Sequence, residues 1–167
     1  KYLKQLKYKQ QTDRVLLGVL SDQLAAFGAE VIIARQHFLK HLEGWAADLH
    51  QEISLNKESL RLEYVNQLKV NDDTTVEEAY QALFKLYQDN EQREIEQGTT
   101  IYGPHRDDIR FLVNNKNVQA FGSQGQQRTT ALSVKLAEID LMKEQTGEYP
   151  LLLLDDVLSE LDTIRQT

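Results

Sequence analysis

The chain has 167 residues, and its 26 acidic and 19 basic side chains give a formal net charge of −7 at pH 7. This acidic balance argues against a module that binds nucleic acid through overall positive charge. The sequence contains no cysteine, which excludes a disulfide framework and a thiolate metal site. No run of apolar residues approaches the roughly 20 of a membrane span, so we expect a cytoplasmic protein with no membrane partner.

The first third of the chain is predicted to be one long amphipathic helix. Apolar residues recur there at spacings of three and four, which is the period of a single helical face. The stripe consists of Leu16, Leu20, Leu24, Phe27, Val31, Ala34, Phe38, Leu42, Trp45, Leu49 and Ile53. His37, His41 and His50 fall in the same segment. They are interpreted as residues of the helix surface, because they lack the glutamate of a helical zinc motif.

A loop, a strand and a second helix follow. Residues 54–59 are predicted as a loop, and the alternation of apolar and charged residues at 60–64 predicts a short strand. Residues 75–78 have the form of a capping box and begin a helix, which Gly98 would end. The long and the shorter helix are expected to pack antiparallel, as one helical arm over residues 1–97.

Between this arm and the next helix we predict a region of short strands. The candidates are residues 99–102, 109–113 and 118–121, with a polar turn at 114–117. The charged sequence His105-Arg106-Asp107-Asp108 suggests a cation site at first sight. Consecutive side chains rarely point at one centre, so a charged turn that fixes a loop is favoured.

A glycine-bracketed turn leads into a helix predicted from about Gln124 to Gln145. Ser123 is a natural N-cap, and Gly147 is a suitable stop at the C-terminal end. The free N–H groups of a first helical turn form an anion site, and Gly125 would let the backbone approach a ligand closely. By itself the pattern is compatible with a phosphate-binding helix start and with an ordinary capped helix.

The sequence after Pro150 carries the strongest chemical signal. Residues 151–154 are four leucines, which predict a strand buried on both faces, as in a parallel sheet. Asp155 and Asp156 follow at the carboxyl end, where open α/β sheets bind their ligands. Carboxylates at that edge suit Mg²⁺ shared with substrate phosphates, which is the Walker B arrangement of a nucleotide-hydrolysing enzyme. The alternative is a core strand whose acidic residues begin the next helix.

Three motifs in combination resemble the RecF family, a DNA-repair branch of the SMC-like ABC ATPases. They are residues 103–108, 121–129 and 152–162, and they are distributed over the chain from about Gly98 onward. Within the second motif, Ser123-Gln124-Gly125-Gln126 is similar to the ABC signature Ser-Gly-Gly-Gln, with glutamine in place of the first glycine. The first half of the chain resembles the family only diffusely, through its helical pattern and its tryptophan.

The resemblance implies an α/β fold of mixed helices and strands. Residues 1–97 would be a helical arm inserted in an ABC-type ATPase head, and residues 98–167 would be the C-terminal part of that head. A P-loop of the form Gly-x-x-x-x-Gly-Lys-Ser/Thr does not occur in the sequence, and we expect it to precede residue 1. We therefore expect an internal piece of a longer protein, a piece that does not hydrolyse ATP by itself.

The resemblance also implies how nucleotide is bound. Two ATPase heads would form a homodimer that encloses ATP between the P-loop of one head and the signature segment of the other. Ser123, Gln124, Gly125 and Gln126 form this signature segment and would be the nucleotide-binding residues. Asp162, in the D-loop, would contribute to the same nucleotide site and couple the two sites of the dimer.

Two aspartates carry the implied catalytic chemistry. Asp155 falls on the Walker B position and would hold Mg²⁺. Asp156 follows it, where many ABC ATPases have a catalytic glutamate, so Asp156 is the candidate catalytic residue. An aspartate is one methylene shorter than a glutamate, and slow ATP hydrolysis by the full-length protein is expected for that reason.

The DNA and protein partners come from the resemblance alone. It implies ATP-driven dimerisation at gapped or junction DNA, and recombinase loading with RecO and RecR in recombinational repair, replication restart and the SOS response. Two other classes stay open: a non-catalytic helical module that binds a protein partner, and another SMC-like ABC ATPase. The latter would carry long heptad arms, and no long heptad repeat occurs in the sequence.

Overall fold

The computed structural model describes residues 2–8 and 14–151. Over these residues it is a helix-rich structure with one small sheet, in agreement with the predicted mixture of helices and strands. The helices are α1 (Tyr2–Tyr8), α2 (Arg14–Ile53), α3 (Val76–Gln97), α4 (Val118–Phe121) and α5 (Gln124–Thr146). The strands are β1 (Leu60–Val65), β2 (Asp108–Val113) and β3 (Lys116–Asn117), and a 3-10 turn covers Pro104–Arg106.

The chain folds into two compact units, and each is built from two stretches of sequence. The first unit contains the described residues up to 37 together with residues 65–108. The second contains residues 38–64 and the described residues from 109 onward, so helix α2 contributes to both units. The predicted boundary between residues 97 and 98 falls within a stretch of the first unit. As a boundary between an arm and an ATPase head, it stays a prediction.

In the first unit, α2 and α3 pack antiparallel, as the sequence predicted. Arg14 lies 3.9 Å from the Glu91 carboxylate, at one end of the pair of helices. Further along α2, Asp22 accepts a hydrogen bond from the hydroxyl of Tyr80 in α3. Residues later in α2 therefore contact residues earlier in α3, as in an antiparallel pair. Their buried contact is made by Ala29, Ile33 and Ala79.

Helix α3 begins and ends where the sequence predicted. The Thr75 hydroxyl accepts a hydrogen bond from the Glu78 N–H at 3.2 Å, and the Glu78 carboxylate accepts one from the Thr75 N–H at 2.8 Å. These two bonds form the predicted capping box. The pKa of Glu78 is lowered, first of all because the Thr75 N–H stabilises its ionised form. Gly98 ends the helix in the left-handed conformation, with φ of 71°.

In the second unit, the sheet has the strand order β1-β2-β3. β2 and β3 pair antiparallel, with Leu112 opposite Asn117. Asn114 and Asn115 connect them with φ values of 49° and 63°, as in a two-residue type I′ hairpin. The predicted polar turn is therefore confirmed at these two residues, whereas Lys116 and Asn117, also predicted as turn, form β3. The core of this unit consists of Leu39, Leu42, Ala46, Leu60, Leu62, Val113, Val118 and Ala137.

Two predicted strands are wrong. Residues 99–102 are irregular, and the Ile101 N–H donates to the Glu94 carboxylate at 2.7 Å rather than to a neighbouring strand. Val118–Phe121 is helical, because the Asn117 side chain accepts hydrogen bonds from two of its N–H groups and caps a single turn. In both places a nearby side-chain oxygen satisfies backbone N–H groups that a strand would have paired.

The long helix is confirmed, but its predicted apolar stripe does not form its buried face. Of the stripe, Leu42 is fully buried, whereas Phe27 is 67% exposed. The buried residues of α2 are Leu17, Ala25, Gly28, Ala29, Ile32, Ile33, Leu39, Leu42, Ala46 and His50. Small residues on this face permit close packing: a Cβ at Gly28 would lie 2.7 Å from Leu83 Cδ2.

Helix α2 is also long and apolar enough, by composition alone, to cross a membrane. In its most apolar stretch, 33% of the residues are buried against the rest of the structure. A packed core helix meets the same criterion, so this property does not by itself indicate a membrane protein.

Candidate nucleotide-contact site

The predicted signature segment lies at the start of α5, where the sequence placed a capped helix. The Ser123 hydroxyl accepts a hydrogen bond from the Gln126 N–H at 3.2 Å, and the Gln126 side-chain oxygen accepts one from the Ser123 N–H at 3.0 Å. This is a second capping box. The helix ends at Gly147, whose φ is 79°, so the predicted helix and both of its ends are confirmed.

The tip of α5 is accessible to a ligand. Ser123 and Gln124 are exposed, and Gly125 and Gln126 are partly buried. The N–H groups of a first helical turn carry the positive end of the helix dipole and lack partners within the helix. The arrangement can therefore receive a phosphate oxygen through a hydroxyl and backbone N–H groups.

The turn before Ser123 is held by two residues that the sequence reasoning did not single out. A Cβ at Gly122 would lie 2.5 Å from the Val118 carbonyl oxygen, so only glycine fits without a shift. The Gln127 side-chain amide donates to the carbonyl oxygens of Val118 and Gly122, at 3.3 and 3.2 Å. The two glutamines that follow Gly125 could have predicted such contacts from the sequence. A long amide side chain at the start of a helix can form hydrogen bonds with backbone groups of the preceding turn.

A chain of polar side chains connects the signature segment to a buried histidine. The Gln126 amide nitrogen donates to Glu58 Oε1 at 3.1 Å, and Glu58 Oε2 lies 3.2 Å from His50 Nε2. His50 Nδ1 lies 3.3 Å from the Ser133 hydroxyl, which donates to the Thr129 carbonyl oxygen at 2.8 Å. All five residues belong to the second unit.

The prediction that His50 lies on the helix surface is wrong, because its exposed fraction is 0%. His37 and His41 are exposed, as predicted. An imidazole can be buried where both of its nitrogens have hydrogen-bond partners, and Ser133 and Glu58 supply them. The helical period places His50 on the same face as Leu42 and Ala46, but it gave no signal for the two partners, which lie 83 and 8 residues away along the chain.

The first half of the charged sequence at residues 105–108 forms a turn, as the favoured interpretation held, and Asp108 begins β2. His105 and Arg106 both approach the Thr100 carbonyl oxygen, at 3.2 and 3.4 Å. Asp107 lies 3.9 Å from the Arg35 guanidinium, and its side chain is 2% exposed. Within the described part of the chain, no group of three His, Asp or Glu side chains is arranged to hold a metal ion.

Of the predicted Walker B strand the structure describes only Leu151, which is 98% exposed and not in a strand, contrary to the prediction for this residue. Residues 152–154, the two aspartates that follow and the D-loop lie outside the described residues. The assignments of Asp155 to Mg²⁺, of Asp156 to catalysis and of Asp162 to the nucleotide site therefore stay predictions. The roles given to the signature residues also stay predictions, although their local geometry is now defined.

Comparison with known proteins gives close relatives over the whole chain, although no family model matches it. The chain is 98% identical over 167 residues to the DNA replication and repair protein RecF of Limosilactobacillus reuteri, and it covers 45% of that relative. It is 68% identical over 166 residues to RecF of Limosilactobacillus fermentum, covering 99% of the chain and 44% of the relative.

Solved structures of RecF also match this chain. A structure of the recombination mediator protein RecF with ATP, from the RecFOR pathway, superposes with a TM-score of 0.88 at 34% identity. The match covers 99% of this chain and 43% of that one. A second RecF structure, with ATPrS, gives a TM-score of 0.86 at 35% identity over 96% of this chain and 42% of that chain.

The fold is thus that of the corresponding part of an ABC-type ATPase. The sequence identities narrow the class: the chain belongs to the RecF family of DNA replication and repair proteins. It spans about 45% of the length of the curated relatives that it matches.

Proposed function

We propose that the chain works within a RecF protein that binds ATP, dimerises around it, and acts on DNA in recombinational repair and replication restart. One observation carries the proposal. The signature segment forms an exposed, capped helix start, in a chain that matches a RecF–ATP structure over 99% of its length. Such a helix start is suited to phosphate.

In this proposal the signature segment completes a nucleotide site on a second copy of the protein. Ser123, Gln124, Gly125 and Gln126 face the γ-phosphate of an ATP bound by the P-loop of the partner head. Asp162 belongs to the same site and couples the two ATPs. Because ATP binds tightly only to the closed pair, nucleotide favours the dimer through its differential affinity for the two states.

The remaining chemistry falls to the two aspartates. Asp155 would hold Mg²⁺, since a carboxylate is the oxygen ligand that this ion prefers, and the ion would neutralise phosphate charge. Asp156 would orient the attacking water, with a reach shorter than that of glutamate. The full-length protein is therefore a slow ATPase, in which positioning and charge stabilisation dominate.

The DNA and protein partners belong to the proposal as well. We expect the cytoplasmic dimer to bind gapped DNA or junctions of single and double strands, and to load recombinase with RecO and RecR. The supporting observation is the RecF family of the chain and the RecFOR pathway of its structural neighbour. The net charge of −7 indicates that DNA contacts would be local or would come from the rest of the protein.

The substitution Ser123→Arg in full-length RecF tests the proposal. The bulky cation would block the phosphate position, so ATP-driven dimerisation should be lost while binding of ATP to the separate head persists. Dimerisation is measured by sedimentation with and without ATP, and ATP affinity by a fluorescent analogue below the dimerisation concentration.

Gln51→Arg is the matched control, because it adds the same charge at an exposed position of the same unit. It should leave ATP-driven dimerisation unchanged. If Ser123→Arg dimerises like this control, the nucleotide-contact proposal is refuted, and a non-catalytic helical interaction module becomes the better description.

A further inference from the structure

The Gln126 side chain makes two separate hydrogen bonds. Its oxygen accepts from the Ser123 N–H at 3.0 Å and closes the capping box. Its nitrogen donates to Glu58 Oε1 at 3.1 Å, in the loop before β1. The residue that closes the signature segment is therefore also anchored to a part of the unit that is distant in sequence.

Glu58 is in turn held by its own contacts. Its backbone N–H donates to the Ser54 hydroxyl at 3.3 Å, and Ser54 is buried. Its second carboxylate oxygen lies 3.2 Å from His50 Nε2, and its side chain is 11% exposed. A carboxylate with so little access to water depends on its hydrogen-bond partners, and these define its position.

His50 connects Ser133 to Glu58 through its two ring nitrogens. The Ser133 hydroxyl gives its single hydrogen to the Thr129 carbonyl oxygen, so it accepts from His50 Nδ1. The other ring nitrogen lies 3.2 Å from Glu58 Oε2, while Glu58 Oε1 accepts from the Gln126 amide. The Glu58 carboxyl group is therefore contacted through both of its oxygens, on one side by the buried histidine and on the other by the signature segment.

We propose that Glu58, supported by the buried His50, is a positioning residue for the signature segment. It fixes the Gln126 amide and, through the capping box, the Ser123 turn in the arrangement that receives phosphate. This inference rests on the proposed function, because it requires that the signature segment contacts nucleotide. Loss of Glu58 should weaken ATP-driven dimerisation and leave the ATP affinity of the separate head unchanged.

The test uses Glu58→Ala in full-length RecF, beside Gln126→Ala and the double variant. From the usual net contribution of one side-chain hydrogen bond, we expect Glu58→Ala to weaken ATP-driven dimerisation by about tenfold. In the Gln126→Ala background the same change should have less than a twofold effect, because the anchored side chain is already absent. A role of Glu58 in general stability would instead weaken both backgrounds equally.

Two further variants define the chemistry. Glu58→Gln should dimerise within twofold of the natural protein, since its amide can accept from Gln126 and donate to a neutral His50. Glu63→Ala is the matched control: it removes an exposed carboxylate of neighbouring β1, 3.6 Å from Arg110. If Glu58→Ala loses its cooperative unfolding transition, Glu58→Met takes its place in the comparison with Gln126→Ala and the double variant. The methionine fills the space of the glutamate without replacing its carboxylate as an acceptor.

The outcomes separate this inference from the proposed function. If Ser123→Arg leaves dimerisation intact, both are refuted. If Ser123→Arg abolishes dimerisation while Glu58→Ala behaves like Glu63→Ala, the positioning role alone is refuted. It is also refuted if the effects of Glu58→Ala and Gln126→Ala multiply. A tenfold loss that vanishes in the Gln126→Ala background, with recovery in Glu58→Gln, supports it.

Discussion

Gly122 joins α4 to α5 at a point where a side chain has no room. A Cβ there would lie 2.5 Å from the Val118 carbonyl oxygen and 2.9 Å from Val118 Cγ1. Its φ of −72° is accessible to any residue, so space rather than backbone conformation requires glycine. Because the signature segment begins at the next residue, this close approach determines where Ser123 lies.

We expect Gly122→Ala to lower the free energy of unfolding by about 1–3 kcal/mol, as overpacking of a tight contact does. The backbone oxygen of Val118 cannot move aside as a flexible side chain could. The measurement is urea unfolding of the chain, monitored by circular dichroism.

Gly44→Ala serves as the comparison, since a Cβ at this exposed helix position meets nothing within 4 Å. It should raise the free energy of unfolding by about 0.5–1 kcal/mol, because alanine favours the helix interior. Changes of the same sign at the two glycines would contradict the packing argument.

At the scale of elements, the two capping boxes have the same form and different surroundings. Thr75 and Glu78 begin α3 at an exposed position, and their bonds are local. Ser123 and Gln126 begin α5, and Gln126 also bonds to Glu58 from a distant loop. The first box is a local signal for the start of a helix, whereas the second is coupled to the packing of its unit.

The α3 box predicts a pH dependence of stability. The pKa of Glu78 is lowered in the folded chain from its ordinary value of 4.5. At pH values near this pKa, the folded state therefore binds fewer protons at this site than the unfolded state does. Its stabilising contribution is present above the unfolded pKa and is lost as the pH falls through the lower, folded pKa.

The variant Glu78→Gln keeps a capping side chain without the titration. We therefore expect its stability to fall less steeply than that of the natural chain below about pH 5. Urea unfolding at a series of pH values measures both slopes, and parallel curves would show that Glu78 does not contribute.

At the scale of the whole molecule, the chain spans about 45% of its curated relatives and contains no P-loop sequence. The P-loop supplies the backbone N–H groups and lysine that hold the phosphates. The chain by itself should therefore show no ATP hydrolysis above background, whereas full-length RecF should turn over slowly. A phosphate-release assay on both proteins measures this difference. Measurable hydrolysis by the isolated chain would contradict the prediction that ATP hydrolysis requires a P-loop from outside this chain.

Local signals in the sequence predicted much of the fold. The capping boxes of α3 and α5, the ends at Gly98 and Gly147, and the polar hairpin turn act within about four residues, so a short window of sequence contains them. The two strand predictions that failed, at 99–102 and 118–121, involved weak β patterns beside side chains that compete for backbone N–H groups. The motif combination also identified the family correctly.

The sequence alone thus determined where α3 and α5 start and stop, that a serine caps the signature helix, and which family the chain resembles. Only the tertiary structure decided that α2 buries its small residues and His50 while Phe27 stays exposed, and that Glu58 anchors Gln126. The reason is the range of the interactions. Caps and turns are made by neighbours in sequence, whereas burial and the His50–Glu58–Gln126 chain depend on elements that folding brings together from distant parts of the sequence.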